Sequence, residues 1–352
     1  MKNASIGMVP LSFSLAAGTA FAAAVSRPFE SALAGSILAA AMLVFCAASP
    51  RRDMAAMCTL FFCLGMLGWC RDALAPSQWD IGASAAMDSI EKRIYALGLA
   101  GEHSPDILKA LLTGRRDSLD RGTAEAFRRS GASHILALSG LHLGIIYGCM
   151  RKLLSPAGNS RAARIAGGCI ITALCGLYTA GTGAAPSTVR AFLFIAVNEC
   201  SHLLCGRIRR PIGTFCLALT IQLAVSPGMI SSAGFQLSYL AMLGIIVLNP
   251  PLSAWYRGFG GADPLRYIWK CASLSISCQL FTAPVAWWHF RSLPAYFLIT
   301  NLTALPLTSM IMATALASLA LDAAGLCPRA LVTLCGTLIQ TLEFCLETIA
   351  SL

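Results

Sequence analysis

The densest group of polar side chains set in an apolar run is 133–144, SHILALSGLHLG. Ser139 and His142 stand three apart, so on a helix they share a face. A serine beside a histidine is the start of a nucleophile–base pair. Such a pair also needs a third group to orient the imidazole. No acid lies in that run, so the spacing gives no support to a hydrolase. A plainer reading stands beside it. Gly140, Gly144 and Gly148 are four apart and form a smooth stripe. Such a stripe lets another helix approach closely, with Ser139 and His142 bonded across the contact.

A second cluster is GTGAAPSTVR, 181–190. Small residues and Pro186 break the chain between two apolar runs, and Ser187 is placed to cap the helix that follows. Arg190 then lies one turn inside that helix. Two roles are open to it: snorkelling to lipid headgroups, or facing a cavity where a guanidinium meets a phosphate. Glu199 is nine residues further on, roughly 13 Å deeper and on the opposite face. A third cluster, 234–244, holds Gln236 and Tyr239 on nearly the same face. Gln279, Pro284 and His289 follow in one apolar run, and Asn301, Thr303 and Pro306 in the next. Each alone reads as helix glue. Together they suggest a polar interior, because polar groups and prolines inside spans need partners or a cavity.

The elements that must position these residues are membrane helices. The chain has 352 residues, 57% hydrophobic and only 12% charged, against roughly 25% charged in a soluble domain. The apolar residues fall in blocks of about 20, the length that crosses a hydrocarbon core. The expected fold class is all-α, a polytopic integral membrane bundle of about 11 transmembrane helices. The spans lie near 8–26, 31–48, 54–70, 132–150, 165–182, 187–205, 212–227, 233–249, 271–290, 295–321 and 330–350. The tenth is long and interrupted by Pro306, which predicts a kink or a re-entrant half-helix. The first resembles a signal peptide in outline, but its apolar run is long and more spans follow, so it reads as a retained helix. Trp69, Trp255, Trp269, Trp287 and Trp288 sit at or near span ends, as an aromatic belt requires.

Lys2, Arg51, Arg52, Arg151, Lys152, Arg161, Arg164, Arg207, Arg209, Arg210, Arg257, Arg266, Lys270 and Arg329 fall on one side of this arrangement. The positive-inside rule puts that side, with the N-terminus, in the cytoplasm and the C-terminus outside. The same rule accounts for the net charge of +10, so the charge is no argument for nucleic-acid binding. Residues 71–130 fall outside and are locally neutral. Ile90, Ile94, Leu97 and Leu99, then Ile107, Leu108, Leu111 and Leu112, recur at helical spacing. They predict amphipathic helices on the outer surface, with Ser104 as N-cap and Pro105 at the first helical position. The expected organisation is three spans in 1–70, this extracytoplasmic segment in 71–130, and a membrane core in 131–352. The 15 cysteines sit mostly in apolar runs with no C-x-x-C pair, which argues against a disulfide scaffold, zinc or redox site. No cofactor or metal is expected. G-x-x-x-x-G-K-[ST] does not occur, so an ATP-driven step would need a partner.

In this order, the clusters resemble the ComEC/Rec2 competence family. The pieces are LKALLTG (108–114), FRRSGASHILALSGLHLG (127–144), GTGAAPSTVRA (181–191), GFQLSYLAMLGI (234–245), and QLFTAPVAWWHF followed by LITNLTALPL. They cover roughly 105–320. The resemblance implies a bacterial inner-membrane channel through which one strand of transforming DNA passes. It marks Ser139, Gly140, His142, Pro186, Arg190, Gln236 and Pro306, with Gly144, Gln279 and Asn301 on the same stretches, as the DNA path or core motif. The family's OB-like domain and metallo-β-lactamase-like domain have no counterpart expected in these residues. No H-x-H-x-D-H motif occurs, and the five histidines are scattered. The expectation is therefore no enzyme, with a separate DNA receptor and nuclease as partners beside single-stranded DNA and the bilayer. A homo-oligomer is left open. The rival readings are a permease for another, anionic substrate and a non-transporting membrane scaffold.

Overall fold

The computed structural model describes residues 2–25, 30–31, 34–39, 54–74, 84–137, 140–154, 161–205, 210–256, 263–294 and 296–352. Every element among them is helical. Most of the second expected span, and the basic positions Arg51, Arg52, Arg207, Arg209 and Arg257, lie outside the described residues. So does Ser139. The chain divides into two compact units, one of residues 1–80 and 193–246, the other of 81–192 and 247–352.

In the first unit, α1 (Lys2–Val25) and α2 (Met54–Leu74) touch through glycine. A Cβ at Gly18 would collide with the Phe62 backbone, and one at Gly65 with the Leu15 carbonyl. Small residues are what allow two backbones this close. The core gathers Leu15, Phe215, Leu219, Leu223 and Phe235. Asp72 Oδ2 accepts from Gly228 N at 3.0 Å and fixes the start of a 3₁₀ turn, Pro227–Ser231.

The second unit starts with α3 (Ser84–Ala96), α4 (Ser104–Thr113) and α5 (Arg121–Arg129). α3 is amphipathic as expected, with Ile94 buried and Asp88, Lys92 and Arg93 exposed. α5 is amphipathic too, with Thr123 and Phe127 buried and Arg121, Arg128 and Arg129 exposed. Asp120 caps it, accepting from Gly122 N at 2.7 Å and Thr123 N at 3.3 Å. α4 corrects the surface expectation. Ile107, Leu108, Ala110 and Leu111 are fully buried, packed with α14 (Phe297–Ala323) and α15 (Arg329–Ala350) through Ile311, Met312, Ile339 and Leu342. A helix apolar nearly all round belongs in a core. Its two charged residues are both bonded: Lys109 to Asp117, and Asp106 to the Tyr95 hydroxyl. Ser104 is the first residue of α4 rather than its cap, and His103 takes the N-cap place.

The expected span 132–150 is not one helix. α6 (Ser133–Leu136) ends at Ala137, whose ψ of 126° is extended, and α7 (Gly140–Leu154) begins afresh. α8 (Arg161–Gly181), α9 (Pro186–Cys205), α10 (Pro211–Val225), α11 (Ala233–Val247), α12 (Asn249–Trp255) and α13 (Pro264–Phe290) follow. α14 runs unbroken through Pro306, so of the two forms expected there the re-entrant half-helix is replaced by a single helix about 40 Å long.

Among the described residues, four helices are long and apolar enough to cross a membrane: Met8–Val25, Ala162–Gly181, Phe297–Ala323 and Arg329–Ala350. The count is five if the bent pair Ala233–Val247 and Asn249–Trp255 is one span. This is fewer than the eleven expected. Part of the difference is length. Gly140–Leu154 and Pro211–Val225 have 15 residues each, about 22 Å, short of a hydrocarbon core about 30 Å thick.

Candidate functional site

The site is built at the starts of two helices in the second unit. α8 ends in a turn where Gly183 has φ 78° and Ala184 has φ 49°. Only left-handed backbone closes this turn, and an alanine held there is strained. Ala184 N donates to Thr179 O at 2.9 Å, and Thr188 Oγ1 to Ala185 O at 2.8 Å. Val189 N closes the first turn of α9 on Ala185 O at 2.9 Å. Pro186 thus stands at the first helical position, which its ring pre-organises. Ser187, expected as the cap, lies inside the first turn.

This start carries Arg190 to the beginning of α7. A Cβ at Gly140 would lie 3.2 Å from Arg190 Nη2 and 3.4 Å from Ala191 Cβ. A side chain at 140 would press on the guanidinium, and glycine leaves it undisturbed. Arg190 is 8% exposed and His142, two residues into α7, is 1% exposed. Helix starts carry partial positive charge and free N–H groups. A buried guanidinium adds positive charge at this spot, chemistry that suits a phosphate or another anion. Cys278 of α13 is within electrostatic range of Arg190. Nothing in the sequence singled it out.

The remaining candidates separate. The glycine stripe holds only at Gly140. A Cβ at Gly144 or Gly148 would meet nothing within 4 Å among the described residues. The Ser139–His142 pairing falls partly outside the described residues. Asn301 and Pro306 share α14, which packs on both α7 and α13, the helix that carries Gln279. Asn301 Oδ1 is buried with no hydrogen-bond partner among the described residues. Gln236 belongs to the first unit, where its Nε2 donates to Ile230 O at 2.9 Å, and Tyr239 Oη donates to Gln222 Oε1 at 2.8 Å. Both bonds tie elements of that unit to one another. Among the described residues, no three His, Cys, Asp or Glu side chains come together as a metal site.

The Competence protein family model matches residues 111–352, more than half of the chain. The chain belongs to the ComEC/Rec2 competence family. The match begins within the α4 motif and extends past the 105–320 region of the sequence resemblance. Two relatives agree. ComE operon protein 3 of Bacillus subtilis is 27% identical over 220 residues, which is 62% of this chain and 27% of that protein. Recombination protein 2 of Haemophilus influenzae is 26% identical over 242 residues, 64% of this chain and 29% of that protein. The chain thus spans under a third of the length of either. No solved structure matches it. Family and apolar helices together make this a membrane protein, and the competence core contains the whole of the Gly140–Arg190 contact.

Proposed function

We propose that this competence-family chain is an inner-membrane channel, or a component of one, for importing transforming DNA as a single strand. The observation that carries the reading is Arg190, buried where α7 and α9 both start and seated against Gly140. A guanidinium among helix N-termini receives phosphate oxygens, and a DNA strand presents phosphates in series. The Competence protein family match and the two relatives, ComE operon protein 3 and Recombination protein 2, support the same direction.

In this reading the bundle has about eleven spans, with the N-terminus cytoplasmic and the C-terminus outside, as the distribution of lysine and arginine favours. The chain performs no covalent step. A separate receptor delivers DNA, a separate nuclease removes the other strand, and self-association is compatible with the scheme. One buried guanidinium suits a small anion as well, so a permease for an anionic substrate is the second reading.

The test is import of labelled double-stranded DNA into a nuclease-protected cytoplasmic pool, in competent cells with and without this gene. Loss on deletion, restored by the wild-type gene and not competed by small anions, is expected. Equal import in both strains refutes the channel, and competition by small anions moves the assignment to the permease.

A further inference from the structure

The charges of α3, α4 and the loop after α4 are gathered into one cluster. Arg115 Nη1 donates to Asp88 Oδ1 at 2.6 Å and to Glu91 Oε1 at 2.8 Å. Lys109 Nζ lies 2.9 Å from Asp117 Oδ2 and 3.5 Å from Glu91 Oε2, with its side chain only 6% exposed. Arg116, next in the chain, is exposed. Asp88 and Glu91 are three apart, so they share one face of α3. They offer Arg115 two anionic oxygens in the way a phosphate does.

α3 also reaches the Arg190 site. Met87, adjoining Asp88, packs on Gly181, where a Cβ would come 2.7 Å from Met87 Cε. Gly181 ends α8 and opens the turn that sets Arg190. Tyr178 Oη, on the last turn of α8, donates to Leu112 O of α4 at 2.8 Å. Beyond α3 the backbone passes through Gly98 at φ 64° and Gly101 at φ 106°, two left-handed positions that favour glycine.

We propose that Arg115 and Lys109, with Arg116, form a binding site for the phosphate backbone of a single-stranded nucleic acid, occupied in this state by Asp88 and Glu91 of α3 and, at Lys109, by Asp117 as well. The inference rests on the DNA reading above and names a receiving site for that substrate. The α3 carboxylates stand in for phosphates. Tethered to the cluster, they act at high effective concentration, so a lone phosphate ion does not displace them. A strand brings several phosphates and gains from counterion release. Its arrival frees Asp88 and Glu91 and loosens Met87 from Gly181.

The test uses the full chain purified in detergent and fluorescence polarisation of a labelled oligothymidylate of about 20 nucleotides. Asp88→Asn/Glu91→Gln keeps side-chain size and removes the competing charge. Its control is Glu102→Gln/Glu347→Gln, an equal charge change at exposed positions outside the cluster. Circular dichroism and Tm show that each variant is folded. The α3 variant is expected to bind roughly threefold to tenfold more tightly than wild type, and the control less than about twofold. Adding Arg115→Gln removes the gain and lowers the slope of log affinity against log salt by about 0.7. Inorganic phosphate does not compete. Binding by the α3 variant no tighter than by the control, a gain that survives Arg115→Gln, or no binding by any form overturns the proposal. The channel reading falls separately, only if DNA import in cells does not depend on the gene.

Discussion

Gly140→Ala separates a packing role for the α7 start from a role in holding Arg190. The new methyl carbon would sit 3.2 Å from Arg190 Nη2 and 3.4 Å from Ala191 Cβ. The second contact is ordinary. The first forces the end of a flexible side chain back by a few tenths of an ångström, an off-rotamer cost of about 0.5–1.5 kcal/mol. Against this, alanine replaces glycine in a helix, a gain of up to about 1 kcal/mol. The terms nearly offset, so Tm in detergent should move by no more than roughly 3 °C. Import should still fall several-fold, because the anion-receiving group has moved. Gly140→Leu pushes the guanidinium further and should reduce import by about a hundredfold, the cost of an ångström-scale misplacement. The assay is DNA import at matched membrane levels, paired with thermal melting of purified protein. Normal import by Gly140→Leu at normal levels would refute the reasoning. So would a large drop in Tm that accounts for the whole effect.

Three further outcomes test the fold around the site. Leu111→Ala opens a cavity at a fully buried position of α4 and should cost about 2–5 kcal/mol by denaturation; a cost below about 1 kcal/mol would restore the surface-helix reading. Lys109→Met should cost about 1 kcal/mol at neutral pH. Burial pulls the Lys109 pKa down, but the hydrogen bond to Asp117 and the charges of Glu91 and Asp117 outweigh it and leave the pKa raised; the bond from Lys109 in turn holds Asp117 below the usual carboxylate range. A depressed carboxylate stabilises above its ordinary pKa near 4 and loses that contribution as pH falls through its folded value, while the raised lysine keeps its own until pH rises past about 10. The Tm gap between wild type and variant should therefore be flat from about pH 5 to 9 and close in acid; a gap unchanged down to pH 2 would contradict this. Tyr239→Phe leaves buried Gln222 Oε1 without its 2.8 Å donor and should cost about 1–2 kcal/mol, with import unchanged at matched protein levels; import falling further than protein level would give Tyr239 a functional role.

The helical class and the family were legible in the sequence, which also singled out Gly140 and Arg190 but not that they lie side by side. Composition dictates helices when every backbone group must be satisfied within lipid. Pro186 marks a helix start because its ring allows little else. What misled was periodicity read without partners. The spacing of Ile107, Leu108, Leu111 and Leu112 fits a surface helix, yet Ala110 completes the apolar circuit and α4 sinks between α14 and α15. Gly144 and Gly148 repeat the spacing of Gly140, but among the described residues only Gly140 of the three has a close neighbour. Pro306 reads as a break, and α14 absorbs it. The bond from Tyr178 to Leu112 is a long-range contact that no local pattern encodes.

The central claim is that Arg190 receives the transported polyanion. The direct measurement is the rate at which labelled DNA reaches the nuclease-protected cytoplasm in competent cells carrying wild type, Arg190→Lys or Arg190→Gln at equal membrane levels. Arg190→Gln should lower the rate at least about tenfold, and Arg190→Lys, which keeps charge but loses the fork, should fall between. Equal rates for all three would contradict the account.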